Sequence, residues 1–139
     1  MPAPVRRGEV TVTLAARGHR PGEVVRATVA NGTDRVVYTE DFKTDCSIAF
    51  LQHHEAGGWV DVLGCGMGRP TLTVAIGPGR GRAVAFDPHS FHLAGGPGGT
   101  GAGPGFGAGT YRVRFTYRLE REPGGEDPLV AYSAEFAIR

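Results

Sequence analysis

The sequence is poor in several residue types, and their scarcity limits what the protein can be. Lys43 is the single lysine beside fourteen arginines, Asn31 the single asparagine and Gln52 the single glutamine. The formal net charge of the 139-residue chain is only +1, so charge gives no indication of nucleic-acid binding. A hydrophobic content of 40% indicates an ordinary globular protein, and we predict a single domain over residues 1–139.

Long apolar runs are also missing. No segment approaches the roughly 20 apolar residues of a membrane-spanning helix, so we predict no membrane span. Residues 1–7 lack the apolar region of a signal peptide, and we predict an extended N-terminal tail there. We therefore expect a cytoplasmic protein if the chain is complete as given. We expect a cell-envelope or secreted protein if an export signal has been removed.

Helical periodicity is absent, and period-two alternation takes its place. Val10–Leu14 and residues 71–76 and 110–117 alternate apolar with polar side chains, as strands with one buried face do. Residues 129–138 keep apolar side chains at every even position, so we predict one unbroken final strand. Turn signals separate these segments throughout. The pattern predicts an all-β fold, an antiparallel β-sandwich of about eight or nine short strands, with a β-barrel as the alternative.

One segment is unusually rich in glycine. Residues 94–109 contain nine glycines together with Pro97 and Pro104, a composition that sustains neither helix nor strand. We predict a long loop there and name Pro97, Pro104 and Phe106 as candidate binding residues, because loops on a rigid scaffold often carry function. Residues 39–45 form a second candidate loop.

Cys46 and Cys65 flank a predicted hairpin, and two strand registers remain open. If His53 and Gly58 close a four-residue loop, Cys46 faces Cys65 and a disulfide follows. A shift by one residue packs the apolar side chains better and leaves the two sulfurs on opposite faces, although a bulge could reconcile both. We favour the disulfide in an exported protein and reduced thiols in a cytoplasmic one.

Residues suited to catalysis or metal binding occur without a recognisable arrangement. No serine lies in a G-x-S-x-G motif, and no pair of carboxylates has a defined separation, so we predict no enzyme and no cofactor. A soft-metal site would draw on donors spread along the chain, and their spacing lacks a C-x-x-C or H-x-x-x-H element. These donors are Cys46, His53, His54, Cys65 and Met67. Separately, His89 and His92 have an i, i+3 spacing that would suit a pair of ligands on a turn, but Asp87-Pro88 before them is typical of an ordinary turn. We predict no metal site.

Arginines alternate with apolar residues on the strand over 110–117. Arg112, Arg114 and Arg118, with Arg80 and Arg82, are able to present guanidinium groups to an acidic partner. The favoured alternative is an ordinary solvated face on which these arginines pair with Glu120, Glu122 and Glu135.

Five short segments together resemble the bacterial immunoglobulin-like domains of envelope proteins and lipoproteins. They are residues 21–25 (PGEVV), 28–31 (TVAN), 58–60 (GWV), 76–79 (IGPG) and 109–113 (GTYRV). The resemblance covers most of residues 8–138 and implies an immunoglobulin-like sandwich. It also implies a tyrosine corner, in which Tyr111 hydrogen-bonds back to nearby backbone. The chain departs from the family in lacking an export signal and in its longer glycine-rich loop.

From this resemblance we expect a non-enzymatic binding or accessory module, with a protein as its partner. The alternative is a small all-β proteinase inhibitor, since the intracellular inhibitors of bacteria look similar over residues 21–31. A metal-handling domain is a third and less favoured interpretation.

Overall fold

The computed structural model describes residues 8–41, 47–62, 72–88, 106–122, 124–125 and 127–139. Every helix or strand assigned in these residues is a β-strand, and none of the described segments forms a helix that could cross a membrane. The strands are β1 (Val10–Leu14), β2 (Gly18–His19), β3 (Val25–Asn31), β4 (Val37–Asp41), β5 (Ala49–Glu55), β6 (Gly58–Asp61), β7 (Leu72–Ile76), β8 (Gly81–Phe86), β9 (Gly109–Tyr117), β10 (Leu129–Tyr132) and β11 (Phe136–Ile138).

The strands form three hydrogen-bonded sheets. One has the order β1-β3-β8, and β4 pairs with β7 in a second. The third has the order β2-β11-β9-β5-β6, and β10 pairs with β9 beside β11. The pairings are antiparallel except for the two-residue pairing of β2 with β11, which is parallel. The all-β, mainly antiparallel architecture predicted from the sequence is confirmed.

The sheets enclose one hydrophobic core. Alternation places one face of each long strand inside, as the period-two patterns predict. In β9, Tyr111, Val113 and Phe115 are buried, whereas Arg112 and Arg114 point the other way. The fully enclosed side chains come from several strands and from residues that precede β5 and β9, and they include Val25, Val29, Val37, Ile48, Leu51, Phe86, Phe106, Val113, Phe115 and Ile138.

The last strand is not continuous, so the prediction of one strand over residues 129–138 is wrong. Tyr132 pairs with Arg114 and Phe136 pairs with Tyr111, so three residues of one strand face two of the other. This extra residue is a β-bulge, which reverses the face that later residues occupy. Phe136 and Ile138 are therefore buried, while Val130 and Tyr132 remain 41% and 47% exposed.

The β5–β6 hairpin adopts a register that differs by two residues from the predicted pairing of His53 with Gly58. Glu55 pairs with Gly58 and His54 with Trp59, so only Ala56 and Gly57 lie between the strands. Gly58 has a φ of +122°, a conformation that side chains rarely adopt, and this permits the tight connection. This register also pairs His54 with Trp59 and brings their rings together, with centroids 4.9 Å apart. The register that would place Cys46 opposite Cys65 therefore does not form.

Candidate functional site

The solvent side of the six-stranded sheet carries a cluster of aromatic and charged side chains. The pairings of β5, β6, β9 and β10 place these residues side by side on the face opposite the core. We call this cluster the outer face, and its members are Phe50, Gln52, His54, Trp59, Asp61, Arg112, Arg114 and Tyr132.

Arg112 lies at the centre of the outer face between two aromatic rings. Its guanidinium carbon is 4.2 Å from the centroid of the Trp59 ring and 3.9 Å from that of Tyr132. Both distances lie well within the range of about 6 Å for cation–π attraction. Because two rings pack against it, the guanidinium group has little freedom to move.

Gln52 connects the two arginines of β9 across the sheet. It is buried, accepts a hydrogen bond from Arg112 Nε at 2.8 Å, and donates to Asp61 Oδ1 at 3.1 Å. Asp61 in turn accepts from Arg114 Nη2, with Oδ2 3.2 Å away. The Arg114 guanidinium also lies 4.6 Å from the centroid of the Phe50 ring. A continuous polar network therefore runs from Arg112 to Arg114 and fixes both side chains.

The arginines of this region differ in how their charge is balanced. Arg114 forms an ion pair with Asp61, and Arg118 pairs with Glu40 at 3.3 Å. Arg112 has only the neutral amide of Gln52 as a hydrogen-bond partner among the described residues. The predicted partners Glu120, Glu122 and Glu135 are wrong for these arginines, because strand pairing brings Asp61 and Glu40 closer. Arg82 lies on β8, in a different sheet.

At one end of β9 the core side of the sheet forms a compact aromatic corner. The Tyr111 hydroxyl donates a hydrogen bond of 2.6 Å to the Gly107 carbonyl oxygen, four residues upstream. The Tyr111 ring lies 4.8 Å from the His53 ring and 6.0 Å from that of Phe136. Burial raises the pKa of the Tyr111 hydroxyl above its usual value of 10.0. This is the backbone hydrogen bond that a tyrosine corner requires.

The structure describes only some of the site residues that the sequence predicted. Cys46, Cys65, Pro97 and Pro104 lie outside the described residues, so the disulfide and the loop site stay predictions. Phe106 is described and is only 2% exposed, so its ring packs in the core and is not available to a ligand.

Possible metal donors do not converge in the part of the chain that is described. No group of three or more histidine, cysteine, aspartate or glutamate side chains is placed to hold an ion there. His53 faces Tyr111 on one side of the sheet and His54 faces Trp59 on the other, as the alternation of an extended strand predicts. The donors Cys46, Cys65, Met67, His89 and His92 lie outside the described residues.

The sequence analysis identified the arginines of the outer face but not their neighbours. Trp59 lies on the second strand of the hairpin, and Tyr132 lies before the bulge that interrupts the predicted final strand. Only the hairpin register and the bulge bring both rings to Arg112. One available signal was Gln52, the single glutamine of the chain, which directly follows the apolar residues Ala49, Phe50 and Leu51.

Comparisons with known proteins leave the family open. No protein-family model and no curated protein matches the chain. A solved structure of a β-glucosidase from Listeria innocua in complex with gluconolactone matches with 16% identity and a TM-score of 0.32. The match covers 94% of this chain and 16% of the β-glucosidase chain. A similarity this low carries no argument about fold or function.

Proposed function

We propose that the protein is a non-enzymatic binding module with an immunoglobulin-like sandwich, and that it binds a protein partner through the outer face. The observation that carries this proposal is the Arg112 guanidinium stacked between Trp59 and Tyr132. Tryptophan, tyrosine and arginine are the residues that dominate binding energy at protein interfaces. Here all three lie in contact on one exposed sheet surface.

The rigidity of this cluster supports a binding role. Ordering a long side chain at an interface costs about 0.5–1.5 kcal/mol, and Arg112 is already ordered by two rings and by Gln52. Tyr132 is 47% exposed, so it has surface left to bury against a partner. A partner would therefore meet a surface whose conformation is set before binding.

The chemistry of the outer face favours binding over catalysis. Arginine remains protonated at any ordinary pH, so Arg112 and Arg114 are unsuited to abstracting protons. Asp61 accepts hydrogen bonds from both Gln52 and Arg114, which holds the carboxylate in an ion pair rather than leaving it available as a base.

Two features support the immunoglobulin-like assignment within this proposal. The Tyr111–Gly107 hydrogen bond lies near the start of a long central strand, where the tyrosine corner of such sandwiches occurs. A short strand early in the chain, β2, pairs in parallel with the last strand, β11.

Site-specific photo-cross-linking in cells would test the proposal. A photoreactive phenylalanine analogue at His54, which is exposed on the outer face, is expected to give a discrete cross-linked protein. The same analogue at Leu72, which is 55% exposed on β7, serves as the control and is expected to give none. The His54 product should disappear when Trp59→Ala is added. Equal products at both positions, or none at His54, would contradict the proposal.

A further inference from the structure

We infer that the outer face takes an acidic segment of a protein partner, and that the Arg112 guanidinium receives a carboxylate of that segment. This inference rests on the proposed function and names the chemistry that the outer face selects. It follows from the charge of Arg112, from the direction of its remaining donors and from the character of the surface around it.

The charge of Arg112 is not balanced by a carboxylate in the described part of the chain. Its neighbours Arg114 and Arg118 have ion pairs with Asp61 and Glu40, whereas Arg112 bonds only to Gln52. Asp61 is already shared between Gln52 and Arg114. The centre of the outer face therefore carries one excess positive charge, which a partner carboxylate would complement.

The donors of Arg112 that remain are those that recognise a carboxylate. Nε is occupied by Gln52, whereas Nη1 and Nη2 have no hydrogen bond to any described residue and are not enclosed away from solvent. Two nitrogens side by side match the two oxygens of a carboxylate and bind it through parallel hydrogen bonds. The rings of Trp59 and Tyr132 lie within 4.2 and 3.9 Å of the guanidinium carbon and limit its movement before a carboxylate binds.

The surroundings of Arg112 favour a protein segment over a polyanion. A polysaccharide sulfate or a nucleic acid gains affinity by contacting many cations, and the formal net charge of the whole chain is only +1. On the outer face Arg114 is already neutralised by Asp61, and the rest of the surface is largely aromatic. A peptide is able to combine one carboxylate with apolar side chains, which matches this surface. Such a peptide would bury the Tyr132 ring as it binds.

A random peptide library provides the probe. Twelve-residue peptides displayed on phage would be selected on the purified wild-type chain, and the recovered peptides would be synthesised and their affinities measured. We expect Asp or Glu to be enriched at one position. We also expect each of two variants to raise Kd at least about tenfold. Arg112→Lys keeps the positive charge but loses the pair of guanidinium nitrogens, and Arg112→Gln removes the charge. Arg82→Gln removes an exposed arginine from another sheet and should leave Kd unchanged.

The other outcomes separate this inference from the proposed function. The selected peptides could lack acidic residues and still lose binding to the Trp59→Ala variant. That result would overturn the role of Arg112 but would support the outer face as the binding surface. If no selected peptide depends on Trp59 or Arg112 for binding, both this inference and the proposed function would be overturned. Heparin provides a further test. The assignment to a protein segment would be overturned if heparin bound wild type with the affinity of the peptides, displaced them and lost as much affinity as they do when Arg112 is substituted.

Discussion

The hydroxyl of Ser133 accepts a hydrogen bond from the Val113 N–H at 2.9 Å, and the Ser133 N–H donates to the Val113 carbonyl oxygen at the same distance. The Ser133 hydroxyl therefore replaces a backbone acceptor in the hydrogen bonding between β9 and the final strands, at the point where the bulge interrupts that pairing. The hydroxyl also donates to the Ala134 carbonyl oxygen at 2.8 Å. This bulge turns Tyr132 outward over Arg112 and Phe136 inward to the core.

Ser133→Ala tests the bulge. The substitution leaves the buried Val113 N–H without its acceptor, so we expect the free energy of unfolding to fall by about 1–3 kcal/mol. Urea titration would measure it. Glu135→Ala, an exposed change in the same connection, is the matched control and should alter stability by less than about 0.5 kcal/mol. Equal stability of the two variants would show that the hydroxyl does not hold the bulge.

Gly109→Ala tests the close approach of β9 to β5. Gly109 has a φ of +155°, and an added Cβ would lie 2.5 Å from His53 Nε2. Strain and the clash both act against the variant, so we expect a loss of at least about 1 kcal/mol. Gly107→Ala is the control, because a Cβ there meets no atom within 4 Å. Thermal denaturation of both variants would give the comparison, and a Gly109→Ala protein as stable as wild type would contradict it.

Tyr111→Phe tests the tyrosine corner. Removal of the hydroxyl leaves the Gly107 carbonyl without its donor, and we expect a loss of on the order of 1–3 kcal/mol at neutral pH. Tyr132→Phe keeps the ring over Arg112 and removes only an exposed hydroxyl, so it should change stability by less than about 0.5 kcal/mol. An unchanged melting temperature for Tyr111→Phe would refute the corner.

Burial of Tyr111 and Tyr117 should make the free energy of unfolding depend on pH. Burial raises the pKa of Tyr111, and also that of Tyr117, above the usual 10.0, so the unfolded chain releases these protons first. The stabilisation is complete below pH 10 and is lost as the pH rises through the raised pKa values. Urea titrations between neutral pH and alkaline pH should show a steeper loss for wild type than for Tyr111→Phe. Parallel curves would contradict this prediction.

The disulfide between Cys46 and Cys65 remains a prediction for protein isolated from an oxidising compartment. Closing a loop of about twenty residues is expected to stabilise the fold by roughly 3 kcal/mol. A thiol titration of the denatured, unreduced protein should then find no free thiol. Two free thiols in that sample would exclude the bond.

Local patterns predicted the strands well, because each long strand buries one face and so records its orientation in the sequence. Val10–Leu14 and the alternation of Tyr111, Val113 and Phe115 against Arg112 and Arg114 are confirmed. The residues that were misassigned depend on contacts made far along the chain. Asparagine is common in exposed turns because it tolerates positive φ, yet Asn31 does not have a positive φ.

Asn31 instead ends β3 as a buried hydrogen-bonding centre. Its Nδ2 donates to the carbonyl oxygens of Arg35 and Ile76 at 2.7 and 2.8 Å, and its Oδ1 accepts from the Thr33 N–H and hydroxyl. The partner Ile76 is 45 residues away, so no local pattern reveals this role. The outer face escaped prediction for the same reason, since its two rings come from β6 and β10 and meet Arg112 only through strand pairing.

Trp59 gives the most direct measurement of the central claim, because it is the only tryptophan of the chain and lies against Arg112. Labelling the chain with fluorotryptophan yields a single fluorine resonance, which reports on the outer face whatever the partner contains. Titration with the purified protein identified by the His54 cross-link should shift this resonance until binding saturates, and Arg112→Gln should move the titration to at least about tenfold higher partner concentrations. Binding that leaves the Trp59 resonance unmoved would contradict the outer face as the binding surface.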